Sequence, residues 1–180
     1  MKNQNTKKLA YAALFLALCL VLPMLTGQIP QIGSMLLPMH IPVLLCGLVC
    51  GWQYGAAVGF VAPLLRSVLF GMPPMYPVAI AMAFELLTYG LVIGLVYRRM
   101  AQKGAAGVYA ALLAAMVAGR LVWGVAEIVL LGLGGKVFTA QAFLAGALLN
   151  AVPGIIVQLV LIPAVMTVLQ KAGAVKEYAE

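Results

Sequence analysis

An all-helical membrane bundle is the fold class this sequence predicts, and three observations predict it. Of 180 residues, 65% are hydrophobic and 8% are charged, where a soluble domain carries about 25% charged residues. The apolar residues come in long runs without the alternation of barrel strands, and only helices or closed barrels satisfy their backbone groups in lipid. The basic residues gather on alternate connections between the runs, as in a chain threaded back and forth across a bilayer.

Each crossing takes roughly 20 helical residues through about 30 Å of hydrocarbon, so this length holds about six crossings and no soluble catalytic domain. Breakers place the helices at 8–25, 37–52, 54–71, 77–98, 107–131 and 142–170, in a single integral membrane domain over 1–180. The first follows Lys2, Lys7 and Lys8 and imitates a secretory signal. Thr26-Gly27-Gln28 is a poor cleavage site, however, and further spans follow, so it reads as an uncleaved helix. Trp52-Gln53-Tyr54 and Gly71-Met72-Pro73-Pro74 are the tightest expected turns; the two prolines of the second stop one helix and start the next.

With the N-terminus in the cytoplasm, Lys2, Lys7, Lys8, Arg98, Arg99, Lys103, Lys171 and Lys176 fall on the cytoplasmic side and Lys136 falls outside. Both termini are therefore expected to be cytoplasmic. The net charge of +7 reports this orientation, and nucleic acid is discarded as a partner. The external connections are then 26–36, 71–77 and 132–141, rich in Gly, Pro, Met and Gln. Binding groups concentrate on such loops, so recognition is expected at the outer face.

Arg66, Glu85, Arg120 and Glu127 stand inside expected helices. Each costs about 2.5–3.5 kcal/mol at a helix centre on insertion scales, so each should face a cavity or a partner. Arg66 and Glu127 lie about one turn below the external loops, and Glu85 and Arg120 lie deeper. Arg120, Trp123 and Glu127 follow i, i+3, i+7 spacing along one helix face, and Asn150 in the last expected helix is placed to meet them. Together they suggest a polar pocket opening outward, with Trp123 as its aromatic wall. Structural ion pairs, Arg66 with Glu85 or Arg120 with Glu127, are the alternative for any one of them; for the set of four, binding is favoured.

Tyr76, Tyr89, Asn150 and Gln158 are each explained singly by an interfacial position or a hydrogen bond between helices. Met35, Met39, His40, Met72 and Met75 gather in or beside external loops and form a soft-metal ligand set. Methionine is equally an adaptable filler suited to a binding lid, and no metal is assigned. His40 precedes Pro42 at a helix start and helps order that terminus. Cys19, Cys46 and Cys50 all lie in apolar runs and read as buried thiols.

No nucleophile elbow, no His-Glu-x-x-His and no phosphate-binding glycine loop is present, so neither an enzyme nor a cofactor is expected. Energy for any transport would come from an ion gradient or another subunit. Ala10, Ala13 and Ala17 make a small-residue stripe on the first helix, which serves either internal packing or the docking of a partner subunit.

Over essentially its whole length the sequence resembles the substrate-binding S components of energy-coupling factor (ECF) transporters, the vitamin-capturing subunits of modular ABC importers. The resemblance is carried by the basic N-terminus leading into Ala13-x-x-x-Ala17 and by Pro38-Met39-His40-Ile41-Pro42 through Gly47, Gly51-Trp52 and Gly55 to Pro63-Leu64-Leu65-Arg66. It continues in Phe70-Gly71-Met72-Pro73-Pro74, Ala83-Phe84-Glu85 and Asn150-Ala151-Val152-Pro153-Gly154.

It implies a prokaryotic plasma-membrane protein that captures a vitamin at the outer face, then associates with a membrane coupling subunit (T component) and two cytoplasmic ATPases. Mapped here, it selects Arg66, Glu85, Arg120, Trp123, Glu127 and Asn150 for binding, beside His40 and Tyr76, and Ala13 and Ala17, with Ala10, for docking. Met39-His40-Ile41-Pro42 is similar to the start of cobalt and nickel members, whose free amino terminus helps hold the metal; here the run is internal, which argues for an organic substrate. An arginine near the mouth suits a carboxylate or phosphate, as in pantothenate, folate or a flavin nucleotide, with cobalamin, riboflavin and pyridoxine also open. The alternative is a stand-alone proton-coupled secondary transporter using Glu85 or Glu127, a class that usually shows paired repeats and broken helices at the midplane.

Overall fold

The computed structural model describes residues 2–26, 35–146 and 150–173, and every regular element among them is helical. The helices are α1 (Lys2–Val21, continued by a 3-10 turn at Leu22–Thr26), α2 (His40–Cys50), α3 (Trp52–Phe70), α4 (Ile80–Met100), α5 (Ala105–Leu133), α6 (Ala140–Leu144) and α7 (Val152–Lys171). Among the described residues, five helical stretches are long and apolar enough to cross a membrane: Gln4–Leu25, Trp52–Phe70, Met75–Lys103, Ala105–Leu133 and Val152–Lys171.

Of the six expected spanning helices, the one not among these stretches is α2. It has 11 residues, about 16 Å at 1.5 Å per residue, little more than half a bilayer core. Pro38 and Met39 turn ahead of it, and Gly51, at φ 96°, ends it. The expected turn at Trp52-Gln53-Tyr54 is already the first turn of α3, because the left-handed backbone that reverses the chain is available to Gly51. The expected helix 142–170 is two pieces, α6 and α7, with 147–149 outside the described residues. Pro153 fits the first turn of α7, where its missing N–H costs nothing, and it disfavours helix in the residue before it.

Lipid is as apolar as leucine, so these helices associate by close packing and internal polar bonds instead of by escape from water. A seam of glycines supplies the close packing among α2, α3 and α4. A Cβ at Gly55 would lie 2.7 Å from the Gly47 Cα, one at Gly90 2.2 Å from the Gly55 backbone, and one at Gly59 2.2 Å from the Leu86 carbonyl oxygen. Side chains larger than hydrogen cannot occupy these positions without separating the backbones.

On α5, Leu113, Val117, Leu121, Val125 and Val129 are exposed on one stripe while Ala111, Leu112, Ala115, Gly119 and Glu127 are buried on the other. That division has the 3.6-residue period of a helix between lipid and a core. One end of the bundle carries the tight connections at Gly51 and Ala101–Lys103 together with Arg98, Arg99 and Lys103. The other end carries the longer connections, at residues 71–79 and 134–139 among them.

Candidate functional site

The short α2 leaves its N-terminus inside the bundle. Counting along the glycine seam from Gly51 brings His40 to the height of Ala62 on α3 and of Glu85 on α4, and the contact of Gly119 with Tyr89 sets Arg120 of α5 at the same level. Side-chain geometry agrees. His40 Nε2 lies 3.4 Å from Glu85 Oε1, and Arg120 Nη1 lies 2.9 Å from the same oxygen. His40 and Glu85 are 1% exposed. The His40 ring stands edge-on to Tyr89, one turn along α4, with centroids 5.1 Å apart. Gly119 admits that tyrosine: a Cβ there would lie 2.3 Å from its ring.

Proximity at this cluster exceeds hydrogen bonding. The charges are close, yet Glu85 Oε1, both ring nitrogens of His40, and Nε and Nη2 of Arg120 are buried without a hydrogen-bond partner, as is Nε2 of Gln158 on α7. Unmade buried hydrogen bonds are costly, about 1–3 kcal/mol each and more for charged groups, so a cluster of them asks for a ligand. Gln158 lies one turn beyond Gly154, whose Cβ would meet the Met35 carbonyl oxygen at 2.6 Å, so that face of α7 borders the segment leading into α2. Glu127 is buried two turns from Arg120 on the same face of α5 and has no ion pair among the described residues. The ion pair present is Arg120 with Glu85, where the alternative reading paired Arg120 with Glu127.

Trp123 is one turn from Arg120 and anchors an aromatic group. Phe143 of α6 stacks on it at 6.1 Å and 26°, and Phe138 meets it edge-on at 5.7 Å. Thr139 caps α6, its Oγ1 accepting from the Ala142 N–H at 3.2 Å. Gly124 and Gly146 leave room, since a Cβ at either would fall within 2.7 Å of Phe143 or Trp123 ring atoms. The 134–146 connection thereby folds back beside α5. Sequence reasoning passed over Phe138 and Phe143; the available signal was a pair of aromatics flanking a threonine N-cap in an otherwise small-residue loop.

Three expected binding residues lie elsewhere. Arg66 Nη1 donates to the Leu20 carbonyl oxygen, and its guanidinium lies 5.2 Å from the Phe70 ring centroid. It caps the last turn of α1, where carbonyls lack intrahelical donors and a cation is favoured. Tyr76 is half exposed, and its hydroxyl donates to the Leu130 carbonyl oxygen near the end of α5. Asn150 is exposed in the turn before α7, not inside a helix. Ala10, Ala13 and Ala17 are all exposed, whereas Ala12 and Cys19 on another face of α1 are buried, so the stripe points away from the bundle.

The family described as ECF transporter, substrate-specific component, matches residues 7–166. The chain belongs to that family. The match spans α1 to most of α7 and includes His40, Glu85, Arg120, Trp123, Glu127 and Gln158. Neither the curated proteins nor the solved structures return a match. As an S component, the chain is the substrate-binding subunit of an ECF transporter, a multi-pass membrane protein and not an enzyme. The family implies a small-molecule substrate and association with a T component and ATPases.

Proposed function

We propose that this S component captures a vitamin or related micronutrient at the extracellular face of a prokaryotic plasma membrane, between α2, α4, α5 and α7. It then delivers the cargo inward by associating with a T component and two cytoplasmic ATPases. The observation that carries this reading is the set of buried, unpartnered polar atoms on His40, Arg120, Glu85 and Gln158, placed where α2 stops partway through the bundle. His40, Glu85 and Arg120 form the floor of the site, with Gln158 beside it; Trp123 forms a wall, and Glu127 lies farther along the α5 face.

Counting residues 35–50 as one passage gives six among the described residues. Both termini then share the cytoplasmic side with Arg98, Arg99 and Lys103, in keeping with the positive-inside rule. The exposed stripe of Ala10, Ala13 and Ala17 is the surface proposed to meet the T component, because small residues let a partner helix approach closely. Thermal-shift screening of the purified chain against a vitamin panel tests capture. One compound is expected to raise the unfolding midpoint without ATP, since a ligand that binds only the folded state stabilises it. No stabilisation by any compound would contradict the assignment of this cluster to binding.

A further inference from the structure

Arg120 approaches Glu85 through Nη1, while Nε and Nη2, the side-on edge of the guanidinium, are both buried and unpartnered. That edge presents two parallel N–H groups at the spacing of the two oxygens of a carboxylate. His40 and Gln158 contribute further unpartnered nitrogens, and among the described residues Glu85 Oε1 is the one buried side-chain oxygen without a hydrogen-bond partner. The site is thus rich in donors and poor in acceptors. We propose that its ligand is a monoanionic carboxylate carried on a flat ring, with the carboxylate on the Nε–Nη2 edge of Arg120 and the ring toward Trp123. This rests on the reading of the cluster as the capture site.

Charge selects the monoanion. The one guanidinium already has Glu85 at 2.9 Å, and Glu127 lies farther along the same face, so a phosphate dianion would leave uncompensated charge in a low-dielectric interior. The effective penalty there is several kcal/mol per ion. Even a carboxylate sets two negative charges against Arg120. His40 sets an imidazole beside the Glu85 carboxylate, at 3.4 Å.

The groups beside His40 are Glu85 and Tyr89 of α4, with Arg120 of α5 on the far side of Glu85. From α1, the Cys19 thiol donates to the Met39 carbonyl oxygen. Stacking explains the ring: Trp123 already holds Phe143 and Phe138 against its indole, and aromatic pairs gain beyond their buried area.

Calorimetry on the purified full chain, with benzoate, nicotinate and indole-3-acetate and their three amides, tests this. At least one acid should bind, with its amide roughly 10-fold weaker or more. Arg120→Lys keeps the charge and loses the fork; in a preparation with the wild-type unfolding midpoint it should weaken the acid roughly 10- to 100-fold and barely affect the amide. Equal affinity for acids and amides, acid binding indifferent to Arg120→Lys, or no binding of any acid would each overturn the carboxylate assignment. Should a vitamin from the panel above still bind, capture stands and the ligand class alone falls.

Discussion

Arg66 and Arg120 are both guanidinium groups inserted into apolar helices, and the structure gives them different partners. Depth along the helix, which the sequence does supply, made Arg66 look like a residue of the outer mouth. Rotation about the helix axis relative to neighbours is not written in a single segment, and it turns Arg66 toward the Leu20 carbonyl of α1. Arg66→Gln is therefore expected to lower the thermal midpoint of the purified protein while leaving ligand affinity within about twofold, because hydrogen bonds from charged groups contribute about 1.5–3 kcal/mol and this one lies outside the proposed site. Glu85 behaves differently. Glu85→Ala would leave Arg120 buried without its counter-charge, a loss of about 3–5 kcal/mol when one partner of a buried pair is removed. Expression and detergent-solubilised stability should drop sharply, and Glu85→Gln, which keeps an acceptor oxygen, should recover part of the loss.

Among the helices, the glycine seam decides how close α2, α3 and α4 lie, and through them the level at which His40 meets Glu85. Gly90→Val would push side-chain atoms into the Gly55 backbone, 2.2 Å from a Cβ; overpacking of this kind typically costs about 1–3 kcal/mol. A lower unfolding midpoint is expected together with weakened ligand binding, whereas Val at the open Gly132, where a Cβ meets nothing within 4 Å, should leave both near wild type. The helical class and the limits of α3 and α5 were legible to within about two residues, the usual spread of helix-end assignments. Two elements were not. Helix α2 is apolar on every side and reads as part of a full crossing, since hydropathy registers composition and not where the chain turns inside the bundle. The break before α7 was signalled by Pro153, but the apolar run continues across it, and periodicity outweighed the breaker. With the break went the expected place of Asn150, which is exposed instead of facing Trp123.

At the scale of the whole molecule, two surfaces differ in residue size: the lipid stripe of α5 built from Leu and Val, and the α1 stripe built from Ala10, Ala13 and Ala17, all exposed. The sequence left that alanine stripe open between internal packing and docking; in the isolated chain it is exposed and free to meet a partner helix or lipid. Ala13→Trp is expected to leave ligand binding by the isolated chain intact and to abolish uptake driven by the assembled transporter. The family was legible from scattered Gly, Pro and charged positions because those positions set helix approach and the buried polar cluster. The ligand was not, because the proposed site draws its residues from α2, α4, α5 and α7 together.

The central claim, capture without transport, is tested most directly in proteoliposomes loaded with this chain alone or with its T component and ATPases, using the vitamin that stabilises the purified protein. The account predicts binding in both preparations and ATP-dependent accumulation only in the second. Accumulation by the chain alone under a proton gradient would contradict it and assign the work to a self-sufficient secondary transporter.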